Sequence, residues 1–241
     1  MQDKIKFIRE KFEVLDVSIQ DDTLEKYIKY YEMLIEKNKV MNLTSITEFE
    51  DVVVKHFLDS LLIIKNIDLK NINNVIDIGT GAGFPGLPLK ILFPDLNVVL
   101  MDSLNKRIKF LQEVIDELQL ENINVLHSRA EDLARKEEHR EKYDLVVSRA
   151  VANLSTLSEY CLPFTKVGGA FISYKSNNID DEVDKSKKAV KILGGNIKEI
   201  KYTKLDDETE RAFVIIDKIK NTPKKYPRKA GTPTSEPLSY K

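Results

Sequence analysis

The sequence predicts an α/β fold built on a mostly parallel sheet that an antiparallel hairpin completes. Three observations predict it. From residue 74 onward, short apolar runs alternate with stretches of helical periodicity, which is typical of parallel strands joined by crossover helices. A glycine-rich turn follows the first of these strands. The alternation then stops, and two strand-like runs, 197–205 and 211–219, are joined by a short acidic turn, which indicates a hairpin.

Composition indicates a soluble globular protein. The 241 residues are 42% hydrophobic and 32% charged, and the net charge of −1 excludes a polybasic nucleic-acid binder. No apolar run approaches the roughly 20 residues of a membrane span, and the start lacks a signal-peptide core, so we expect a cytoplasmic protein without membrane contact. The single cysteine, Cys161, excludes an intramolecular disulfide and a cysteine zinc cluster, and no metal site is expected.

Residues 1–70 contain neither glycine nor proline, which favours helices. Apolar side chains at three-and-four spacing from Leu24 to Ile35 predict an amphipathic helix that ends near Asn38. A second helix is expected to begin near Thr47. The prediction is an N-terminal helical extension, 1–70, packed on a core domain of residues 71–220.

In the core domain the elements are expected to alternate in chain order. The predicted strands cover 74–79, 97–102, 123–127, 143–148 and 169–175. The predicted helices cover 86–93, 104–119, 154–161 and 180–193. The last segment, 221–241, is basic and holds four of the eight prolines, so it is expected to form no regular element of its own.

Four glycines lie within eight positions after the first strand: Gly79, Gly81, Gly83 and Gly86. Glycine permits positive φ and lets a ligand approach the backbone closely. A turn of this kind between a strand and a helix makes a nucleotide-binding corner. Asp102 ends the second strand, where its carboxylate is placed to accept hydrogen bonds from ribose hydroxyls. The stretch therefore predicts a site for an adenosine-type ligand.

The glycine turn matches the dinucleotide fingerprint, so an NAD enzyme is one alternative. Pro85 argues against it, because proline has no N–H where a pyrophosphate-binding helix would offer one. The closing hairpin also argues against it, since Rossmann-like methyltransferases usually end in this way. S-adenosylmethionine carries no phosphate and needs close backbone approach and an acid for its ribose. We therefore predict S-adenosylmethionine as the cofactor.

Motifs along nearly the whole chain resemble one family. They are Asn42-Leu43-Thr44, His56-x-x-Asp59-Ser60-Leu61, Asp77-x-Gly79-x-Gly81-Ala82-Gly83-Phe84-Pro85-Gly86, Asp102-Ser103-x-x-Lys106-Arg107-x-x-Phe110-Leu111, Arg129-Ala130-Glu131, Ser148-Arg149-Ala150 and Tyr226-Pro227-Arg228-Lys229-x-Gly231-x-Pro233. In them the chain resembles the bacterial ribosomal small-subunit methyltransferase G family, also called glucose-inhibited division protein B. The resemblance implies a class I S-adenosylmethionine-dependent methyltransferase with a Rossmann-like, seven-stranded mixed sheet. It also implies methyl transfer to N7 of a guanine (527, in the 530 loop) of 16S rRNA.

The residues expected to bind the cofactor are Gly79, Gly81, Gly83, Phe84, Asp102, Ala130, Glu131 and Arg149. The resemblance implies that Ala130 and Glu131 face the adenine, and the sequence agrees, because an acid after the third strand can accept from the adenine amino group. By the same resemblance Arg149 borders the reaction centre. Asp77 is open between two roles, contact with the methionine ammonium and capping of the turn.

The residues after the fourth strand, 148–151, lack the Pro-Pro-aromatic signature of amino-methylating enzymes. Cys161 is interpreted as a core residue and not as the nucleophile of cytosine methylation. Guanine N7 already carries an in-plane lone pair and no proton, so transfer to it needs alignment and no general base. Arg149 is therefore expected to orient the guanine, as a donor to O6 or to a phosphate.

RNA contacts are predicted for basic side chains near the pocket and in the tail: Arg107, Lys175, Arg228 and Lys229. Such side chains position an RNA through its phosphates without reading its sequence. Two further alternatives remain open. One is a methyltransferase that acts on a small molecule, and the other is a nucleotide-binding regulatory module without catalysis. Whether the RNA is free or within the small ribosomal subunit is also open.

Overall fold

The computed structural model describes residues 1–149, 152–176, 178–206 and 209–238. In this part of the chain seven strands form one sheet in the order β3-β2-β1-β4-β5-β7-β6. The strands are β1 (Asn74–Ile78), β2 (Asn97–Asp102), β3 (Ile123–His127), β4 (Tyr143–Arg149), β5 (Thr165–Ser176), β6 (Gly195–Lys204) and β7 (Glu210–Lys218). Of the motif and turn residues discussed above, Ala150, Val151, Asp207 and Glu208 lie outside the described residues.

The first five strands pair in parallel, whereas β7 pairs antiparallel with both β5 and β6. The predicted Rossmann-like mixed sheet with a closing hairpin is therefore confirmed. The central strands are apolar because helices cover both faces of the sheet; every residue of β4 except Arg149 is buried. Parallel pairing brings the carboxyl ends of β1, β2, β3 and β4 to one edge, which is where ligands bind in sheets of this kind.

The helices of the core domain lie within two residues of the predicted ranges. This holds for α5 (Gly86–Leu92), α6 (Asn105–Glu117), α8 (Leu154–Cys161) and α9 (Asp180–Ile192), whereas the short α7 (Ala130–Leu133) was not predicted. Cys161 is fully buried at the end of α8, as expected of a core residue, and burial raises the pKa of its thiol.

The N-terminal extension is helical and continuous with the core. Its elements are α1 (Gln2–Phe12), a 3₁₀ turn (Glu13–Leu15), α2 (Asp21–Met41), α3 (Phe49–Val52), a π-helical segment (Val53–Leu58), α4 (Asp59–Leu61) and two 3₁₀ turns (Leu62–Lys65 and Leu69–Asn71). Two buried tyrosines of α2 reach the glycine-rich turn and the helix after it: the Tyr30 hydroxyl donates to the Ala82 carbonyl of the turn at 2.5 Å, and the Tyr27 hydroxyl to the Pro88 carbonyl of α5 at 2.7 Å. Helix α2 of the extension thus packs against the glycine-rich turn.

The C-terminal segment is more ordered than its proline content suggests, and the expectation of no regular element there is wrong. Thr232–Ser235 forms α10, one turn of helix. Helix α8 fixes this segment through its polar side chains: the Thr156 hydroxyl donates to the Pro233 carbonyl at 2.9 Å, and the Tyr160 and Thr234 hydroxyls lie 2.8 Å apart. The composition of the segment could not reveal these contacts, because their partners lie more than 70 positions away.

Candidate active site

A cavity of about 570 Å³ opens at the carboxyl ends of β1, β2 and β3, and we call it the donor cavity. Its lining residues are Ile78, Gly79, Met101, Asp102, Ser103, Leu104, Arg107, Ser128, Arg129, Ala130, Glu131, Tyr160, Gly231 and Thr234. Four of the predicted cofactor-binding residues come together here: Gly79, Asp102, Ala130 and Glu131. The volume lies within the range of small-molecule sites.

The glycines of the turn have two different functions. Gly79, Gly81 and Gly83 have φ values of 72°, 65° and 111°, where side chains are disfavoured. A Cβ added to Gly81 would meet nothing within 4 Å, so the backbone there faces open space. A Cβ on Gly83 would lie 2.7 Å from the Tyr30 hydroxyl oxygen. Gly83 therefore serves packing against the extension, and the structure does not place it on the wall of the donor cavity.

Asp102 is 2% exposed and is held by the residues around it. Its Oδ2 accepts from the Gly81 amide at 3.0 Å and from Arg107 Nη1 at 3.1 Å, and its Oδ1 accepts from the Leu104 amide at 2.9 Å. These bonds fix the carboxylate in the wall of the donor cavity, at the carboxyl end of β2. They also place Arg107, a predicted RNA contact, on the wall of the donor cavity. The five-residue spacing between Asp102 and Arg107 is a signal that sequence reasoning missed.

The C-terminal segment completes the donor cavity. The Gly231 amide donates to Glu131 Oε1 at 3.0 Å, and Gly231 and Thr234 both line the cavity. Glu131, the acid expected to face the adenine, is thus oriented by a residue 100 positions further along the chain. Sequence reasoning assigned this segment to RNA alone. The sequence did contain a signal for this contact, because Gly231 belongs to one of the family motifs.

Asp77 lies beneath the turn and is completely buried. Its Oδ2 accepts from the Thr80 hydroxyl at 2.7 Å and from the Gly86 amide at 2.8 Å, so it does cap the turn. Its Oδ1 has no hydrogen-bond partner among the described residues. Burial raises the pKa of Asp77 to about 6. An orphaned buried carboxylate oxygen is what a cationic ligand group or an ordered water completes.

These residues fit S-adenosylmethionine. The unpartnered oxygen of Asp77 suits the ammonium of its methionine part, Asp102 the ribose and Glu131 the adenine amino group. The open backbone at Gly81 allows close approach. Nothing in this set demands a phosphate on the ligand.

Asp77→Asn is expected to stabilise the free protein at neutral pH and to weaken cofactor binding. Because the folded-state pKa of about 6 lies above the ordinary value of 3.8, the folded state holds the proton more tightly, and the free energy of unfolding falls as the pH rises from about 4 to about 6. Asparagine removes this cost, which is at most about 3 kcal/mol. Denaturation at pH 4 and pH 7.5, with titration calorimetry of S-adenosylmethionine, measures both effects. A variant less stable than the wild type at pH 7.5 would contradict the assignment.

A second cavity of about 410 Å³ lies between the extension and the sheet, and we call it the acceptor cavity. Its lining residues are Ile46, Lys55, His56, Asp59, Arg149, Tyr174, Lys175, Ser176 and Arg211. Predicted residues Arg149 and Lys175 lie here and not in the donor cavity. The Arg149 guanidinium lies 5.0 Å from the Phe84 ring centroid, so the glycine turn packs against the acceptor cavity. The Ser148 hydroxyl, one residue before Arg149, donates at 2.7 Å to the carbonyl of Ile78, which lines the donor cavity.

A buried carboxylate organises the acceptor cavity. Asp59, 1% exposed, accepts from Arg149 Nη1 at 2.7 Å and from Arg211 Nε at 2.6 Å. Lys175 donates to Glu182 at 2.6 Å and to the Ala152 carbonyl at 2.7 Å. Sequence reasoning missed Arg211, since nothing in the hairpin distinguishes it from a surface arginine.

His56 is held as a neutral ring. Its Nε2 lies 2.8 Å from the Thr44 hydroxyl, and it stacks on Phe84 at 4.5 Å. Burial and the charge of Arg149 lower the pKa of His56 to about 4. Its Nδ1 lies 3.4 Å from Arg149 Nη2. His56 and Asp59 are thus each engaged with Arg149.

The tail arginine is also engaged. Arg228 donates to Glu159 from its backbone amide at 2.7 Å, from Nε at 3.0 Å and from Nη2 at 2.7 Å, and the Glu159 side chain is fully buried. Lys229 is exposed.

Within the described ranges, no group of three or more histidine, cysteine or acidic residues is arranged to hold a metal ion. No described helix is long and apolar enough to cross a membrane.

A family model and individual relatives of this chain point to the same protein family. A family model described as rRNA small subunit methyltransferase G matches residues 23–231. The ribosomal RNA small subunit methyltransferase G of Clostridium tetani is 54% identical over 223 residues, 92% of this chain and 93% of that protein. The protein of the same name from Lachnoclostridium phytofermentans is 50% identical over 242 residues, 100% of both chains.

Solved structures show similarity of fold. A SAM-dependent O-methyltransferase from Thermotoga maritima superposes with a TM-score of 0.52 at 16% identity, over 79% of this chain and 73% of that one. A ribosomal protein L11 methylase from Lactobacillus delbrueckii subsp. bulgaricus gives a TM-score of 0.52 at 15% identity, over 69% and 79%. Both support the class I methyltransferase architecture.

Proposed function

The chain belongs to the rRNA small subunit methyltransferase G family, and from that premise we propose that it methylates N7 of guanine 527, in the 530 loop of 16S rRNA. The enzyme is an S-adenosylmethionine-dependent methyltransferase, and its substrate is ribosomal RNA. One observation carries the finer assignment: the acceptor cavity lies next to the donor cavity, and among the described residues its lining offers cations but no unengaged base. The two cavities are neighbours because Ser148, the residue before Arg149, donates to the carbonyl of Ile78, which lines the donor cavity.

N7 methylation suits a site without a general base. Asp59 is engaged with two arginines, and His56, although neutral, is engaged with Thr44 and Phe84. An amino group or a ring carbon would need a proton removed, whereas N7 has a free lone pair. When bound, S-adenosylmethionine supplies a methyl group on a positively charged sulfur. The N7 lone pair forms the new bond to carbon as the carbon–sulfur pair returns to sulfur, so alignment is the main requirement.

The proposed roles of the residues follow from their positions. Asp102 holds the ribose, Glu131 with Ala130 the adenine, and Asp77 the ammonium. The remaining predicted cofactor residues, Gly79, Gly81, Gly83 and Phe84, shape the turn around the methionine part. Arg149 orients the guanine through O6 or a phosphate, and its guanidinium is rigid because Asp59 and Phe84 both hold it.

The four proposed RNA contacts differ in whether their charge is already paired with a carboxylate of the protein. Lys229 is exposed and available to a phosphate. Arg107, Lys175 and Arg228 are paired with carboxylates in the free protein, so an RNA phosphate has to compete for them. We therefore propose Lys229 as the main phosphate contact of the four.

Arg149→Ala is expected to lower the rate of methyl transfer about 100-fold or more, because an orienting donor acts only on the aligned base. The affinity for S-adenosylmethionine should stay within about threefold, since Arg149 lies in the acceptor cavity. Single-turnover rates on rRNA, with calorimetry of the cofactor, measure the two effects. Arg149→Lys is the control for charge alone. Full transfer by Arg149→Ala with unchanged RNA affinity would show the role to be wrong.

Labelled S-adenosylmethionine tests the proposed function directly. It is incubated with small ribosomal subunits, and separately with naked 16S rRNA, from a strain that lacks this protein. We expect label at N7 of one guanine, and the more active substrate identifies the form of RNA that the enzyme meets in the cytoplasm. Absence of label from both substrates would contradict the proposal and favour a methyltransferase of a small molecule.

A further inference from the structure

Three distant parts of the chain build the acceptor cavity. The extension contributes His56 and Asp59, the carboxyl ends of β4 and β5 contribute Arg149 and Lys175, and the start of β7 contributes Arg211. The side chain that links the cavity to the glycine turn is Phe84. The two cavities lie at neighbouring strand ends, because Ser148, next to Arg149, donates at 2.7 Å to the carbonyl of Ile78 in the wall of the donor cavity.

The Asp59 carboxylate holds the two arginines in fixed positions. Burying a carboxylate is costly unless charged donors surround it, and here two guanidinium groups do so, one on each oxygen. The same helical turn is anchored to the sheet, because the Tyr174 hydroxyl donates to the Ser60 carbonyl at 2.8 Å. Neither arginine can reorient freely.

Both arginines keep donor capacity for a ligand. Their side chains remain 15% exposed for Arg149 and 26% exposed for Arg211. Among the described residues, Arg211 engages Asp59 through Nε, which leaves its two terminal nitrogens to donate into the cavity. A guanidinium with one edge fixed and the other presented is suited to planar, electron-rich groups and to phosphate.

The charge and shape of the lining favour a nucleotide. The lining carries four cationic side chains and one anionic side chain. A flat surface is also present, because the neutral His56 ring lines the cavity while its stacking on Phe84 fixes its plane. The volume of about 410 Å³ lies within the range of small-molecule sites.

We propose that the acceptor cavity receives the target guanine nucleotide turned out of the RNA stack, and that Asp59 is a positioning residue that presents Arg149 and Arg211 to it. This inference rests on the proposed rRNA methylation and adds the place and the recognition of the base. Enzymes that modify a base at an atom within a stack commonly extrude it into a pocket. Arg149 then faces the base and Arg211 the adjoining phosphate.

Asp59→Asn tests the proposal, with Asp144→Asn as its matched control. Asp144 is also a buried, ion-paired aspartate: it pairs with Lys166 and accepts from the Asn73 and Asn74 amides. It lies at the amino end of β4, away from both cavities, so its variant reports only the loss of stability. Arg211→Lys is the second variant, in case Asp59→Asn does not fold.

Methyl transfer is measured at saturating S-adenosylmethionine and varied concentration of the rRNA substrate. We expect Asp59→Asn to lower kcat at least 100-fold and Arg211→Lys to raise the RNA KM about tenfold, with the cofactor Kd within threefold for both. Asp144→Asn should keep the wild-type kcat. Wild-type transfer by both Asp59→Asn and Arg211→Lys would overturn the inference, as would a loss of cofactor affinity that parallels the loss of rate.

The experiments distinguish a failure of the proposed function from a failure of this inference. If the wild-type enzyme labels no rRNA guanine, the proposed function fails and this inference with it. If the wild type labels a guanine and the two variants do so equally well, only the inference fails.

Discussion

Gly83→Ala is expected to lower the free energy of unfolding by about 3–5 kcal/mol, because backbone strain and overcrowding add together. The φ of 111° lies outside the range of ordinary residues. The new Cβ would lie 2.7 Å from the Tyr30 hydroxyl oxygen and 2.9 Å from Leu111 Cδ2. Tyr30 cannot move aside, since it is fully buried and bonded to the Ala82 carbonyl.

Gly81→Ala is the control for Gly83→Ala. Its φ of 65° also disfavours a side chain, but the new Cβ would meet nothing within 4 Å. We expect a loss of about 1–2 kcal/mol from strain alone, together with weaker S-adenosylmethionine binding where the cofactor approaches this backbone. Urea denaturation and calorimetry of the cofactor compare the two variants. Equal losses of stability would show that packing against the extension does not matter.

Arg228→Ala is expected to destabilise the fold by about 3–5 kcal/mol, because it leaves the fully buried Glu159 side chain without its charged partner. The interaction is strong enough that Glu159 raises the pKa of the Arg228 guanidinium. The exposed neighbour provides the control: Lys229→Ala should change stability by less than about 0.5 kcal/mol. The double variant Arg228→Met with Glu159→Gln should recover part of the loss, since it leaves no unpaired buried charge. Urea denaturation measures all three variants.

The same pair of variants separates structure from RNA binding. A residue that neutralises a phosphate adds about one to the dependence of log affinity on log salt. We expect Lys229→Ala to reduce that slope and to leave the fold intact. If Arg228→Ala instead kept full stability and reduced the slope, Arg228 would be an RNA contact and its ion pair incidental.

Some features could be predicted because a local pattern causes them. The five parallel strands are apolar runs because both faces of the sheet are covered, and each predicted range overlaps the observed strand. The glycine-rich turn could be predicted because its positive φ values strongly favour glycine. The acid at the end of β2 falls at the ligand edge of any parallel sheet, so the place of Asp102 in a cavity there could be predicted from its position alone. Family motifs supplied the activity, which no local pattern contains.

Other features depend on partners that are distant in the chain, and only the tertiary structure decided them. Arg228 is bonded to a glutamate 69 positions earlier, and Arg211 to an aspartate 152 positions earlier. Gly231 reaches back 100 positions to Glu131. The sequence alone does not distinguish a basic residue whose charge faces solvent from one whose charge pairs with a buried carboxylate. The sequence by itself determined the sheet, the glycine-rich turn and the family. The packing of the extension and tail decided which charges hold the fold together and which surround the site, because burial and pairing arise only when the chain closes on itself.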